Sequence, residues 1–258
     1  MTALRSHLED LVRGGRKLLV PYLMAGVPDR ESFGAALAAV SESADAVELG
    51  LPFSDPLMDG PVIAEAGQRA LRMGLGPVEA LEAAAPSGDG PPRIAMTYYN
   101  PIHRTGEKAF CERAAAAGIA GLIVPDLPVE ESGSLRGAAA DAALAWIPLV
   151  APTSPPERVK AITETSTGFV YAVSTLGVTG TREQLSERAA GVVAACRDAT
   201  DAPVLVGIGV SSPAHAVEAA ATADGVVIGT AVVRLILEEG AASAGAFLAE
   251  VRAALDAR

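Results

Sequence analysis

The sequence predicts an α/β fold in which eight strand–helix units close into a (β/α)8 barrel. Three observations lead to this prediction. The chain has 258 residues, which suits one large barrel domain. Half of the residues are hydrophobic but only 4% are aromatic, so the apolar content is mostly aliphatic and suits helices packed on a parallel sheet. Short apolar runs alternate with helical stretches along almost the whole chain.

The first predicted element is an extra N-terminal helix in front of the barrel. Its apolar residues recur at helical spacing and do not form the continuous core of a signal peptide: Leu4, Leu8, Leu11 and Val12. The predicted strands are apolar runs that end in Gly, Pro or Asp, as strands leaving a sheet do. They span 18–24, 44–49, 93–97, 121–124, 145–150, 168–173, 203–206 and 225–228.

Each predicted strand is followed by a helical stretch, and several of these stretches begin at a proline, which is favoured in the first helical turn. The first ends at about residue 43, and the later ones span 61–73, 106–117, 129–142, 155–165, 182–197, 213–221 and the segment after 228. An open, doubly wound sheet usually has fewer strands and a glycine-rich turn after the first, whereas the first loop here has only Gly26. We therefore predict one TIM-barrel domain over residues 1–258, with 87–92 as the most loop-like stretch of its lower face.

The charge of the chain restricts its partners. A net charge of -11 argues against nucleic acid or an anionic membrane, because either would need a basic surface, but it allows a small phosphate ester. No apolar run approaches the length that spans a bilayer. Cys111 and Cys196 match no metal or redox spacing. We expect a cytoplasmic protein with reduced, buried thiols.

Two carboxylates stand out around the second predicted strand. Alternation along this strand places Val47 and Leu49 on one face and Glu48 on the other, which in a barrel is the interior. A lone buried carboxylate is costly unless it is paired or neutral, so a glutamate there needs a functional reason. Asp59 supplies a second carboxylate from the following loop. Two plain alternatives stay open: Glu48 as a rim residue in water, and Asp59 as part of the turn and helix cap before Pro61.

Glycines are concentrated in the loops after the last three predicted strands, at 177–180, 207–209 and 229–230. In barrels of this kind, the loops after the strands carry the functional residues. Exposed backbone N–H groups and a helix N-terminus can hold a phosphate without any cationic side chain. One glycine pair usually indicates only a tight turn, but three such loops at neighbouring strand ends predict a phosphate site.

The positions of other reactive residues narrow the chemistry. The lysines, Lys17, Lys108 and Lys160, lie away from the C-terminal ends of the predicted strands, so a Schiff-base aldolase would lack its nucleophile. The histidines are scattered, which makes a histidine-based metal site unexpected. A pair of carboxylates near a phosphate cradle, with tyrosines near the strand ends, indicates acid–base chemistry on a phosphate ester whose other end is apolar or aromatic. No metal and no cofactor are expected.

Residues 48–63 read ELGLPFSDPLMDGPVI, and this segment resembles the signature of the tryptophan synthase alpha chain family. Blocks similar to other conserved segments of the family follow in order, so the likeness runs from about Leu19 to Val233: 96–101, 124–128, 149–153, 177–180 and 224–229. The family cleaves indole-3-glycerol phosphate to indole and glyceraldehyde 3-phosphate in a retro-aldol reaction without a cofactor. The resemblance therefore implies a carbon–carbon lyase.

The resemblance also implies roles for individual residues. Glu48 matches the acid/base catalyst, which delivers a proton to indole C3 and takes one from the glycerol hydroxyl, and Asp59 matches the acceptor of the indole N–H. The other matched positions belong to the indole pocket and closing loop, Tyr22, Tyr171 and Thr179, and to the phosphate site, Gly180, Gly209, Gly229 and Thr230. One departure lies in the sixth loop, where Thr175 stands at a position that is Arg in many members.

The family's partner is a pyridoxal-phosphate beta chain, with which it forms an alpha2beta2 assembly. The apolar side chains of the loop 51–58 suit a docking surface, although plain loop packing is the alternative. Three functions remain open: the lyase half of a two-protein tryptophan synthase, a free-standing indole-releasing lyase of specialised metabolism, and a catalytically idle barrel kept as an activator of its partner. The intact Glu48 and Asp59 count against the third.

Overall fold

The computed structural model describes residues 1–84, 90–173, 182–207 and 209–257, with the side chains of 182–187 excepted. Within these residues nine strands form one sheet in which all paired neighbours are parallel, in the order β5-β4-β3-β2-β1-β9-β8-β7-β6. The strands are β1 (Leu18–Met24), β2 (Val47–Gly50), β3 (Arg93–Met96), β4 (Ile119–Ile123), β5 (Ala145–Trp146), β6 (Leu149–Val150), β7 (Val170–Val173), β8 (Val204–Gly207) and β9 (Gly225–Ile228).

The two ends of this order, β5 and β6, are consecutive in the chain and are the halves of the predicted strand 145–150. Pro148, between them, has no N–H to donate to a ladder. Pairing nevertheless continues across the break, because the Ile147 N–H donates to the Leu122 carbonyl at 3.0 Å and the Pro148 carbonyl accepts from the Tyr171 N–H at 3.0 Å. The sheet is therefore closed into a ring of eight strands, and the predicted (β/α)8 barrel is confirmed.

Helices surround this ring. In the described part of the chain they are α1 (Ala3–Arg13), α2 (Phe33–Ser41), α3 (Pro61–Arg72), α4 (Pro77–Ala83), α5 (Tyr99–Thr105), α6 (Glu107–Ala116), α7 (Gly133–Asp141), α8 (Pro156–Thr163), α9 (Arg182–Arg197), α10 (Pro213–Ala219), α11 (Thr230–Glu238) and α12 (Ala241–Asp256). The predicted N-terminal helix is α1. The short helices α4 and α5 are additions to the predicted pattern. Of the predicted loop 87–92, residues 87–89 lie outside the described residues, and residues 90–92 form neither helix nor strand.

The lower end of the barrel is closed by α1. Leu4 and Leu8 of this helix are 2% and 0% exposed and pack with interior side chains such as Leu18 and Val20 of β1. Because α1 covers the N-terminal ends of the strands, the barrel interior is accessible from their C-terminal ends. None of the helices in the described ranges has the length and hydropathy needed to cross a membrane.

A buried ion pair ties the last helix to the same lower end. Asp45, 4% exposed, accepts hydrogen bonds from Arg16 at 2.6 Å, from the Leu19 N–H at 2.8 Å and from Arg252 of α12 at 3.1 Å. Each oxygen of the carboxylate therefore has a partner, as a buried charge requires. Cys111 and Cys196 are buried free thiols, as predicted.

Candidate active site

A cavity of about 950 Å³ opens at the C-terminal ends of the strands. Seven of the nine predicted site residues line it: Tyr22, Glu48, Asp59, Tyr171, Gly209, Gly229 and Thr230. The other two, Thr179 and Gly180, lie outside the described residues, as does Thr175. The structure therefore brings together every predicted site residue that it describes.

Glu48 is directed into this cavity by the alternation of β2. Val47 and Leu49 belong to the apolar core, whereas Glu48 lies on the opposite face and is 1% exposed. Its Oε2 atom has no hydrogen-bond partner among the described residues. Glu48 is therefore a buried acid facing the cavity, and the alternative of a rim residue in water was wrong.

The surroundings of Glu48 favour its neutral form. Burial raises the pKa of Glu48 to about 8, and the nearby negative charge of Asp59 adds to the increase. A carboxyl group with this pKa is mostly protonated at neutral pH, so it can donate a proton to a bound molecule.

Asp59 lies in the loop between β2 and α3 and does not cap the helix. The N-cap residue of α3 is Gly60, which makes no side-chain capping hydrogen bond, so the helix-cap alternative for Asp59 was wrong. Its Oδ1 atom instead accepts a hydrogen bond from the Tyr98 hydroxyl at 3.1 Å. Burial raises the pKa of Asp59 to about 6, and the bond from Tyr98 limits the increase.

The two carboxyl groups therefore differ in protonation at neutral pH. Glu48 is mostly the acid and Asp59 is mostly the carboxylate. Pairs of titratable groups whose surroundings separate their pKa values divide the roles of proton donor and charge stabiliser between them. This cavity can supply a proton at one point and stabilise a positive charge at another.

Two tyrosines complete the wall around the carboxyl groups. Tyr22 of β1 pairs in register with Glu48, and Tyr171 lies on β7. Burial and the charge of Glu48 raise the pKa of both hydroxyl groups, and Asp59 contributes at Tyr22. Both phenols therefore stay neutral.

Glycines on the neighbouring strands make room for these rings. A Cβ atom at Gly50 would lie 1.8 Å from the Tyr22 hydroxyl oxygen, and one at Gly207 would lie 2.7 Å from that of Tyr171. Sequence reasoning missed the roles of Gly50 and Gly207. The available signal was a glycine at the end of each apolar run beside a strand that carries a tyrosine.

Two of the glycine-loop residues on which the phosphate prediction rests, Gly229 and Thr230, lie at the start of α11. Thr230 is the first residue of this helix and Gly229 is its N-cap, without a side-chain capping bond, so the first backbone N–H groups are available to an anion. A Cβ at Gly229 would meet its nearest neighbours at 3.5 Å and 3.6 Å, which is ordinary contact. Packing therefore does not require glycine here. Gly209, across the same cavity lining, has φ 68°, a conformation that favours glycine.

Some apolar side chains of the loop 51–58 are packed on the barrel, and others are exposed to solvent. Leu51 is 3% exposed, and the Phe53 ring lies against Tyr98 with centroids 5.2 Å apart. Leu57 and Met58, in contrast, are 88% and 46% exposed. The first half of the loop packs on the barrel, and the second half presents two large apolar side chains to the surface beside the cavity.

The family model described as the tryptophan synthase alpha chain matches residues 8–255. The chain belongs to this family. The resemblance of residues 48–63 and of the later blocks is thereby confirmed, and the chain is a carbon–carbon lyase of the type that cleaves indole-3-glycerol phosphate in tryptophan biosynthesis.

Relatives and solved structures agree with this membership. The tryptophan synthase alpha chain of Rippkaea orientalis is 42% identical, over 99% of this chain and 98% of its own. That of Gloeobacter violaceus is 48% identical, over 84% of this chain and 80% of its own. A crystal structure of the Legionella pneumophila alpha subunit has a TM-score of 0.90 at 31% identity and covers all of both chains. A chain of Mycobacterium tuberculosis tryptophan synthase has a TM-score of 0.88 at 39% identity, over 99% of this chain and 100% of its own.

Proposed function

We propose that this family member cleaves indole-3-glycerol phosphate with Glu48 as the proton donor and Asp59 as the acceptor of the indole N–H. The observation that supports the proposal is that two carboxyl groups and the start of α11 line one cavity. Burial raises the pKa of Glu48 to about 8 and that of Asp59 to about 6, which suits the first as a proton donor and the second as a carboxylate. An aromatic ring near the carboxyl groups and a phosphate near Gly229 would use both ends of this cavity.

Glu48 solves the main difficulty of the reaction, which is that indole is a poor leaving group until its C3 carbon is protonated. The proton of Glu48 moves to C3, and the hydroxyl on the adjacent glycerol carbon gives its proton to the resulting carboxylate. The bond between C3 and that carbon then breaks, so the products are indole and an aldehyde, glyceraldehyde 3-phosphate. Each proton is accounted for within the site, and Glu48 returns to its acid form. A positioned acid/base group of this kind contributes roughly 10² to 10⁴ in rate.

Asp59 stabilises the intermediate state of this reaction. Protonation at C3 places positive charge on the indole ring and makes the ring N–H a stronger donor. The hydrogen bond from this N–H to a carboxylate becomes stronger as the positive charge develops. The carboxylate therefore stabilises the transition state more than the bound substrate, and this lowers the barrier. The mostly ionised state of Asp59 at neutral pH suits this role.

The remaining predicted residues bind the two ends of the substrate. Tyr22 and Tyr171 would hold the indole ring, together with Thr179 in the closing loop. Backbone N–H groups at Gly229 and Thr230, with Gly209 and Gly180, would hold the phosphate. These assignments follow from family positions and, for the described residues, from the shared cavity.

We further propose a cytoplasmic alpha chain, folded as one barrel domain over residues 1–258, that joins a beta chain in an alpha2beta2 assembly. The similar Mycobacterium tuberculosis chains belong to crystal structures of tryptophan synthase. The exposed Leu57 and Met58 beside the cavity supply an apolar surface for such a partner. The small phosphate ester and the beta chain are the partners of this protein.

Indole release by the purified protein, with and without an added beta chain, tests this function. Slow release alone and a large activation on mixing support the alpha chain of a two-protein enzyme. Fast release alone, without activation, would indicate a free-standing lyase. Absence of release in both cases, with activation of the beta chain retained, would indicate an idle activator.

A further inference from the structure

Tyr98 fixes the loop that carries Asp59. Its side chain is 4% exposed, and its hydroxyl accepts a hydrogen bond from the Met58 N–H at 2.9 Å while it donates one to Asp59 Oδ1 at 3.1 Å. Its ring lies against Phe53, with centroids 5.2 Å apart. One side chain thus contacts three residues of the loop between β2 and α3, and the last of them is the candidate catalytic carboxylate.

The place of Tyr98 in its own helix is unusual for its residue type. It is the N-cap residue of α5, with φ -77° and ψ 159°, where Ser, Thr, Asp or Asn normally caps the first N–H groups. Tyr98 makes no capping bond. Asp126, from the loop after β4, replaces the cap, because its Oδ1 atom accepts from the Tyr99 N–H at 2.8 Å. The phenol is therefore free to extend to Asp59.

The neighbouring tyrosine shows that this arrangement is specific to position 98. The Tyr99 hydroxyl donates to Glu107 Oε1 at 2.9 Å, on α6. Neither Tyr98 nor Tyr99 is among the described residues that line the cavity. Tyr98 therefore acts on the cavity through the loop residues that it contacts, Met58 and Asp59.

We propose that Tyr98 is a positioning residue that orients Asp59 and keeps it ionised, and that Asp126 holds Tyr98 in place. The inference rests on the role of Asp59 proposed above. A hydroxyl that donates to a carboxylate stabilises the charged form, so Tyr98 lowers the pKa of Asp59 against the effect of burial. Among the described residues, the other titratable groups that interact electrostatically with Asp59 or Tyr98 are Glu48 of β2, Tyr22 of β1 and Asp126. None of these three groups is a cation, so none could stabilise the charged form of Asp59 if the Tyr98 hydroxyl were removed.

Tyr98→Phe is the sharpest test, because it retains the ring on Phe53 and removes only the hydroxyl. The pKa of Asp59 should rise, so the acid limb of the kcat/KM profile should move up by about one pH unit, with about a tenfold loss on that limb. Asp126→Ala should move the limb in the same direction by a smaller amount. Tyr99→Phe is the matched control and should leave the profile unchanged.

Carbon-13 NMR of aspartate carboxyl groups, assigned with Asp59→Asn, gives a second measurement that does not depend on catalysis. An upward shift of the Asp59 titration in Tyr98→Phe, with none in Tyr99→Phe, supports the proposal. An unchanged titration in Tyr98→Phe, or an equal shift in Tyr99→Phe, overturns it. If the titration shifts but Asp59→Asn cleaves substrate at the normal rate, the positioning role stands and the proposed role of Asp59 fails.

Discussion

Replacement of Glu48 by Gln should stabilise the folded protein at neutral and alkaline pH, although it removes the proposed proton donor. Folding buries the Glu48 carboxyl group and raises its pKa from 4.5 to about 8. The folded state therefore binds the proton more tightly than the unfolded chain does. Stability is lost as the pH rises from the unfolded pKa through the folded one, and Gln, which is neutral at every pH, does not have this loss.

The size of the effect follows from the shift. At about 1.4 kcal/mol per pKa unit, this shift lowers the free energy of unfolding, relative to its value at low pH, by about 1 kcal/mol at pH 5, about 3 kcal/mol at pH 7 and about 5 kcal/mol at pH 9. The difference in the free energy of unfolding between Glu48→Gln and the unchanged protein should grow in the same way. An amide and a protonated carboxyl group have similar shape and polarity, so the two proteins should be nearly equal at low pH.

Urea unfolding of both proteins at these three pH values is the assay, with the midpoint and slope fitted separately. Glu79, which is exposed in the first turn of α4, provides a control substitution to Gln away from the cavity. A Glu48→Gln protein that is no more stable at pH 9, or a difference that does not change with pH, would refute the claim that folding holds Glu48 in its neutral form.

Three further substitutions test the packing of Tyr22, the binding of phosphate and the buried ion pair at the lower end of the barrel. Gly50→Ala would place a methyl carbon 1.8 Å from the Tyr22 hydroxyl, so we expect displacement of the ring, about 1 to 3 kcal/mol of destabilisation in urea and a fall in indole release. Gly229→Ala meets only ordinary contacts, so the unfolding midpoint should hold while KM for the phosphate substrate rises, as measured by steady-state kinetics. Asp45→Asn leaves Arg252 without its buried carboxylate and should cost about 3 kcal/mol in urea with kcat unchanged, because the pair lies at the opposite end of the barrel.

Short sequence patterns predicted the strands and helices whose ends are fixed by residues close to them in the chain. The runs 18–24 and 225–228 coincide with β1 and β9, because each is a short apolar stretch bounded by turn or charged residues. The run 145–150 was expected as one strand, but Pro148 lacks the N–H that would make it continuous. α5 was missed because the residue that caps it, Asp126, lies far along the chain from Tyr98.

Local patterns likewise indicated some residues of the candidate site, whereas others could be found only from contacts in the folded structure. The direction of Glu48 followed from strand alternation, and the glycine loops indicated residues that line the same cavity, Gly209, Gly229 and Thr230. The role of Asp59 came from the family resemblance rather than from local chemistry, since a capping role was equally consistent with its sequence. Tyr98 and Gly50 acquire their roles only from contacts between neighbouring strands and loops, and no pattern within either segment carries that information.

The proposed mechanism depends on Glu48 as the donor of the proton that releases indole. The most direct measurement is single-turnover indole release from indole-3-glycerol phosphate by Glu48→Gln, together with the dissociation constant of the substrate. We predict a rate lower by roughly 10² to 10⁴ with substrate binding nearly unchanged. A rate within a few fold of the unchanged protein would contradict the account and assign the proton to another group.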